Sequence, residues 1–118
     1  MKSKITSILM IAILSSFSLA AFAQKTDVYT VDATKSTITW EGKKFAGAHS
    51  GTVNLASGSL SFKGKNLAQG GFVINMTSIK VTDIKDAKQN GNLEGHLKAD
   101  DFFGTAKHPE ANFAIKKV

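Results

Sequence analysis

Cysteine is absent from this chain of 118 residues. The protein therefore has no disulfide bond, no thiol nucleophile and no cysteine that could carry an N-terminal lipid. If the chain is exported, strand pairing and side-chain packing alone must hold its fold together. We expect a soluble protein rather than a lipid-anchored one.

Arginine is absent as well, so all 15 basic side chains are lysines, set against 9 acidic residues. Arginine is the residue that usually forms paired hydrogen bonds to phosphates and bases. The lysines are also scattered along the chain rather than clustered. We therefore expect no nucleic-acid partner, whereas the net positive charge favours a weak attraction to anionic lipid surfaces.

Long apolar runs are missing from the chain except at its start, "MKSKITSILMIAILSSFSLAAFAQ". Two lysines precede a mostly apolar stretch, residues 5–19, and an Ala-Phe-Ala cleavage signal ends at Ala23. This pattern predicts a secretory signal peptide over residues 1–23. Hydroxyl residues interrupt the short run, which argues against a transmembrane anchor. The expected product is a single periplasmic or secreted domain, residues 24–118.

Apolar and polar residues alternate in segment after segment of that domain. An alternation of period two places the apolar side chains on one face of a β-strand. The residues predicted to share a face within their strands are Ile38 with Trp40, Val53 with Leu55, Leu60 with Phe62, Phe72 with Ile74 and Met76, and Phe113 with Ile115. Short strands of this kind predict an antiparallel sandwich or barrel.

Glycines punctuate these segments and predict where the chain turns. Ser57-Gly58 lies between two strand patterns and predicts a tight hairpin. Gly64 and the run Gln69–Gly71 are expected to bound the next connection. Gly51 falls inside a strand pattern, where glycine usually marks a bulge or a close backbone approach.

One segment, "NGNLEGHLKAD", has the spacing of a helix instead. It contains a pair of leucines and an acid–base pair, each four residues apart: Leu93 with Leu97, and Glu94 with Lys98. We predict one or two helical turns with an apolar stripe and an ion pair on the exposed side. Asn92 is the expected N-cap, and residues 83–92 are expected to form a solvated loop.

The three histidines and the paired aspartates are candidates for a reaction centre or a metal site. His49, His96 and His108 lack the closely spaced ligand pairs of zinc sites. Asp100 and Asp101 are adjacent, and neighbouring side chains on an extended chain point to opposite sides, so we expect them to cap a turn. We predict no catalytic residue, no metal and no cofactor. An enzyme or metal protein that uses the three histidines is the alternative.

The remaining candidate is an apolar binding site. Inward side chains of a small barrel either fill its interior or line a ligand cavity. Periodicity does not separate these two cases, and a filled core is the default when only the alternation is considered.

The residues resemble the YceI-like, polyisoprenoid-binding family of exported bacterial proteins. "YTVDATKSTITWEGKK" is similar to the opening of that domain, and "GAHSGTVNLASGSLSF" and "FVINMTSIKVTD" to its following strands. The most specific segment is "GHLKADDFFGTAKHPEANF", which resembles the family's His-Leu-x-x-x-Asp-Phe-Phe motif and a Pro-x-x-x-Phe strand start. The matching positions are His96, Leu97, Asp101, Phe102, Phe103, Pro109 and Phe113.

The resemblance implies an all-β protein: an antiparallel, lipocalin-like β-barrel with one short helix. It also implies that the interior holds an isoprenoid lipid on which no chemistry is performed. The chain covers only the N-terminal part of that family domain, so we expect an incomplete barrel. A truncated sequence is the favoured explanation; the alternative is that another chain, as in a homodimer, fills the missing edge.

We therefore predict an exported, non-enzymatic binding or carrier protein for an isoprenoid or other long-chain apolar lipid. The alternative is a structural or stress-related envelope protein whose barrel is filled. Within the specific motif, we expect at least one of Phe102 and Phe103 to face the interior. We expect His96 to bond a strand carbonyl; contact with a lipid headgroup is the alternative. The predicted lining residues are Ile38, Trp40, Val53, Leu55, Leu60, Phe62, Phe72, Ile74, Met76, Phe103 and Phe113.

Overall fold

The alternating segments form the strands of one curled antiparallel sheet in the computed structural model, which describes residues 24–118. The predicted signal peptide lies outside the described residues. The strands are β1 (Thr26–Thr30), β2 (Ile38–Lys44), β3 (Gly47–Lys63), β4 (Asn66–Val81) and β5 (Glu110–Ile115). A 3₁₀ turn, Ala33–Lys35, follows β1, and helix α1 spans Ala87–Lys98.

Strand β3 is the centre of the sheet. One edge of β3 pairs with β4, and β4 pairs with β5 on its other edge. The other edge of β3 pairs with two short strands placed end to end: β1 opposite Ser59–Lys63 and β2 opposite Gly47–Val53. The sheet curls into half a barrel, which confirms the predicted all-β, lipocalin-like fold.

The hairpin predicted at Ser57-Gly58 is wrong, because β3 continues without a break through these residues. A β-bulge lies there instead: Leu55 pairs with Ile74, whereas Ser57 pairs with Val73. Gly58 is required for a close approach, since a Cβ at this position would lie 2.7 Å from the Phe72 ring. The serine–glycine signal therefore marks crowding between strands and not a turn.

The next connection is also shorter than predicted. The chain turns at Gly64, whose φ of 60° lies in the left-handed region that favours glycine. The run Gln69–Gly71 lies inside β4, where Gly70 pairs with Leu60 on one side and Ile115 on the other. A Cβ on Gly70 would lie 2.7 Å from the Leu60 side chain, so this glycine also accommodates a neighbour.

Helix α1 begins before the predicted start. Its N-cap is Asp86, whose carboxylate accepts the Gln89 backbone N–H at 2.8 Å, and not Asn92. Much of the predicted loop is therefore helix. The Asn90 amide donates to the carbonyls of Val81 and Ile84, at 2.8 and 3.0 Å. These hydrogen bonds attach the first turn of α1 to the end of β4 and the chain after it. The first turn is polar, so no apolar stripe in the sequence predicts it.

The hydrophobic core lies where α1 crosses the sheet. Val53, Ile79 and Val81 of the sheet and Leu97 of the helix are its buried members. Partly buried apolar side chains surround them: Ile38, Trp40, Ile74, Ile84 and Leu93. The two helix leucines thus face the sheet as predicted. Within residues 24–118, no helix is long and apolar enough to cross a bilayer.

Trp40 packs against the edge of this core, opposite Gly51. The two residues face each other across β2 and β3, and the indole N–H of Trp40 donates to the Lys80 carbonyl at 3.1 Å. A Cβ on Gly51 would lie 1.7 Å from that carbonyl and 2.7 Å from the indole. The predicted close approach at Gly51 is confirmed.

Glu94 ties the helix to strand β4. Its carboxylate accepts the Val81 backbone N–H at 3.3 Å and contacts the ammonium groups of Lys80 and Lys98 at 3.4 and 3.3 Å. The predicted Glu94–Lys98 pair is confirmed, but its expected place on the exposed side of the helix is wrong, because Glu94 faces the sheet. Burial acts to raise the pKa of Glu94, but these hydrogen bonds outweigh it, and the pKa lies below its ordinary value of 4.5.

We predict that Gly51→Ala lowers the free energy of unfolding by about 2–3 kcal/mol, because the new methyl group must displace both Trp40 and β4. Urea denaturation followed by far-UV circular dichroism measures the change. The matched control is Gly42→Ala, because the nearest atom to a Cβ there is 3.9 Å away. Equal denaturation midpoints for the two variants would contradict this reading of Gly51.

We predict that Glu94→Gln costs about 1 kcal/mol of stability at neutral pH, because a charge-assisted contact to the sheet is lost. Because the folded state lowers the pKa of Glu94, this stabilisation is complete above about pH 4.5 and disappears as the pH falls through the folded pKa. Thermal unfolding should therefore show a difference from wild type that shrinks below about pH 4.

Glu41→Gln is the control for this measurement, since it removes an exposed carboxylate of β2 and should change stability by less than about 0.5 kcal/mol at neutral pH. A difference between wild type and Glu94→Gln that stays constant from neutral to acidic pH would refute the role given to the charge of Glu94.

Candidate apolar binding site

The face of the sheet that α1 crosses, called the inner face here, carries an apolar track along β3. Its positions are His49, Gly51, Val53 and Leu55 before the bulge, and Gly58, Leu60 and Phe62 after it. Leu55 and Leu60 are five residues apart, so strict alternation would put them on opposite faces. The bulge adds one residue between them and keeps both leucines on the inner face.

The first depression on this face, the helix recess, has a volume of about 250 Å³. Strands β2, β3 and β4 form its floor, and helix α1 and the loop after it form its wall. Met76 and Ile79 both line this recess. The lining residues are Trp40, Glu41, Gly42, Val53, Met76, Ile79, Leu97, Phe102 and Phe103.

An irregular stretch of β4 brings Met76 and Ile79 to the same recess. Asn75 pairs with Asn54 of β3, but the next ladder pair is Lys80 with Thr52. The Ser78 hydroxyl replaces the lost ladder bonds, since it accepts the Asn54 N–H at 2.8 Å and donates to the Asn75 carbonyl at 2.6 Å. The extra residues of β4 in this stretch redirect the Met76 and Ile79 side chains, and alternation along the sequence does not show this.

The second depression, the central recess, has a volume of about 320 Å³. All five side chains that line it are apolar: Ile38, Leu55, Phe72, Ile74 and Phe113. The rings of Phe72 and Phe113 lie 6.2 Å apart, within the range of favourable aromatic pairs. Phe113 remains 56% exposed because the structure places no further strand beyond β5 within the described residues.

The third depression, the distal recess, lies at the turn between β3 and β4. It is lined by Tyr29, Leu60 and Phe62, together with Gly64 and Lys65. Tyr29 and Phe62 meet edge to face, with their ring centroids 5.6 Å apart. The helix, central and distal recesses follow one another along β3 in the order Val53, Leu55 and Leu60.

Each of the eleven predicted lining residues lies in one of these three recesses. Their contact with a ligand stays a prediction. Tyr29, Ile79 and Leu97 also line the recesses and were not among the eleven. The apolar stripe of the helix could have added Leu97, whereas the bulge hides Ile79 from any count of alternating residues.

Two of the three histidines, His49 and His96, have carboxylate partners among the described residues. The His49 Nδ1–H donates to Asp83 at 2.9 Å, and the other oxygen of Asp83 accepts the Ser50 N–H at 3.1 Å. The hydrogen bond from His49 is the main cause that lowers the pKa of Asp83 below its ordinary value. This contact joins the start of β3 to the chain leaving β4.

His96 pairs with Asp101 at 3.0 Å, so the expectation that it bonds a strand carbonyl is wrong. The adjacent Asp100 pairs with Lys107 at 2.6 Å. Both aspartates thus brace the loop between α1 and β5. Across residues 24–118, no three His, Cys, Asp or Glu side chains converge as a metal site would require.

A fourth depression, the polar recess, adjoins the helix recess. It has a volume of about 430 Å³, and its walls combine the polar or charged side chains of Lys44, His49, Gln89, Asn92 and His96 with the apolar side chains of Ile84 and Leu93. The rings of His96 and Phe102 lie 6.0 Å apart, and Phe102 belongs to the helix recess. The polar recess and the helix recess therefore adjoin each other along α1.

Comparison with protein-family profiles gives a match to the YceI-like domain over residues 29–118. No match was found among curated proteins or among solved structures. The matched range begins within β1 and includes all the other strands, helix α1 and every residue of the three apolar recesses. The chain belongs to the YceI-like domain family.

Proposed function

We propose that this protein is an exported, non-enzymatic binding or carrier protein for an isoprenoid-like lipid that lies along the inner face. The observation that carries the proposal is the series of three apolar recesses on one face of one sheet. Membership of a family that binds polyisoprenoid lipids supports it. Export to the periplasm is proposed from the signal-peptide pattern at residues 1–23 and from the family.

The dimensions of the track suit a long hydrocarbon chain. Strand β3 advances roughly 30 Å from Val53 to Phe62, and both ends of that stretch lie in apolar recesses. Each buried methylene group contributes about 0.8 kcal/mol, so several isoprene units need no strong polar contact to be retained. The central recess lies at the lower end of the range of roughly 300–1,000 Å³ for small-molecule sites, and the helix recess alone is slightly smaller than that range.

The exposed aromatic side chains of the inner face supply a hydrophobic driving force for lipid binding. Phe103 and Phe113 are 44% and 56% exposed, and both line apolar recesses. Large apolar surfaces left in water commonly mark binding sites. A hydrocarbon chain laid across the inner face would remove this surface from water. The open recesses also weigh against the alternative of a filled barrel.

His49 and His96 each face an aspartate that also braces the local backbone or loop. The helix recess has Glu41 as its one ionisable lining residue. These observations support a protein that holds its ligand without changing it.

The proposal is tested by the fluorescence of Trp40, the one tryptophan of the chain, which lines the helix recess. We expect geranylgeraniol to change the emission in a saturable way, because the lipid replaces water beside the indole. Dodecanol is the comparison for an unbranched chain, and glycerol for a polar solute. No saturable response to either long-chain alcohol would overturn the proposal.

We predict that Phe72→Ala weakens geranylgeraniol binding about tenfold, which corresponds to about 1.4 kcal/mol, because it removes one wall of the central recess. The matched control is Val73→Ala, the next residue of β4, whose side chain points to the opposite face. Far-UV circular dichroism verifies that both variants are folded. Equal affinities for the two variants would place the ligand away from the inner face.

A further inference from the structure

The turn between β2 and β3 carries the most exposed large apolar side chain of the described chain. Phe45 is fully exposed at 111%, whereas the exposed phenylalanines elsewhere range from 44% to 56%. Single exposed apolar residues are common and need no function by themselves. The surroundings of Phe45 therefore decide whether its exposure has a meaning.

Two lysines, Lys43 and Lys44, form the end of β2 and immediately precede Phe45. Lys43 lies 3.1 Å from Glu41, but both side chains are largely exposed, at 79% and 55%, so this pair is weak. Lys44 lies at the end of β2 and is exposed. An aromatic ring flanked by lysines suits an anionic lipid surface, where the ring enters the headgroup region and the ammonium groups approach phosphates.

The same turn is continuous with the candidate site. Glu41 and Gly42, just before it, line the helix recess. Lys44 lines the polar recess together with His49 and His96. A bilayer in contact with Phe45 would therefore lie beside the entrance to the apolar track, which is where a carried lipid must leave or enter the membrane.

The opposite end of β3 provides an internal comparison. The turn between β3 and β4 also carries two lysines, Lys63 and Lys65, but its aromatic neighbours, Tyr29 and Phe62, pack edge to face in the distal recess and neither is fully exposed as Phe45 is. Attraction by net charge alone would make the two turns equivalent. A specific docking site would depend on Phe45 and its neighbours and leave the other turn unimportant.

We propose that the Lys43-Lys44-Phe45 turn is the part of the protein that docks on an anionic lipid bilayer, with Phe45 inserted among the headgroups. The inference rests on the proposed lipid-binding function, because that function requires exchange with a membrane. It goes further in naming the surface, the partner and the orientation: the helix-covered end of the sheet faces the bilayer.

The test is co-sedimentation of the purified protein with vesicles of phosphatidylcholine that contain about 30% phosphatidylglycerol. We expect Phe45→Ser to lower the vesicle partition coefficient at least fivefold, and Lys43→Gln/Lys44→Gln to lower it about tenfold. The matched control, Lys63→Gln/Lys65→Gln, removes the same charge from the other turn and should change partition by less than twofold. Pure phosphatidylcholine vesicles should bind the wild type weakly.

Two outcomes would overturn the proposal: wild-type protein that does not sediment with the anionic vesicles, or equal losses for the two lysine pairs, which would indicate attraction by net charge. The Trp40 titration with geranylgeraniol, done without vesicles, separates this proposal from the proposed function. Phe45→Ser should titrate like the wild type. If the wild type binds vesicles through the turn but gives no Trp40 response, the carrier function fails and the docking surface stands.

Discussion

The pairing of β3 with β4 is the constraint on which the rest of this structure depends. Every other strand pairs with one of these two, and the helix docks against the end of β4. Side chains alternate between the faces of a strand, so the pairing register decides which of them share a face. Two irregularities in this pair, at Leu55–Ser57 and between Asn75 and Lys80, keep the apolar side chains on the inner face.

Packing is concentrated at one end of that face. Leu97 closes a small core over Val53, Ile79 and Val81, and Glu94 adds a charged contact to the backbone of β4. Within residues 24–118, no helix covers the remainder of the inner face, and its aromatic side chains stay partly in water. A protein held together at one end and open along the rest combines a stable frame with an apolar surface that a ligand can cover.

Pairs of histidine, aspartate and lysine side chains stabilise the helix end of this sheet. His49 with Asp83 extends the junction of β3 and β4 beyond their ladder, whereas His96 with Asp101 and Asp100 with Lys107 hold the end of α1 and the loop that follows it. The segment from Gly91 to Phe113 is therefore a structural corner that places Phe102 and Phe103 at the helix recess. Lys44, the neighbour of the exposed Phe45, lines the polar recess together with His96 of this corner.

The sequence by itself determined the strand character, the inward residue types and the contact of Leu93 and Leu97 with the sheet, because alternation and helical spacing are local properties of the chain. Only the tertiary structure decided that Ser57-Gly58 is a bulge within one long strand and that α1 starts at Ala87, capped by Asp86. It also revealed Ile79 as a lining residue and Asp101 as the partner of His96.

These features depend on residues far apart in the chain: the Phe72 ring against Gly58, the Val81 carbonyl that receives Asn90, and the Asn54 amide that binds Ser78. Contacts of that kind leave no periodic trace in the sequence, because each is satisfied only when distant strands meet.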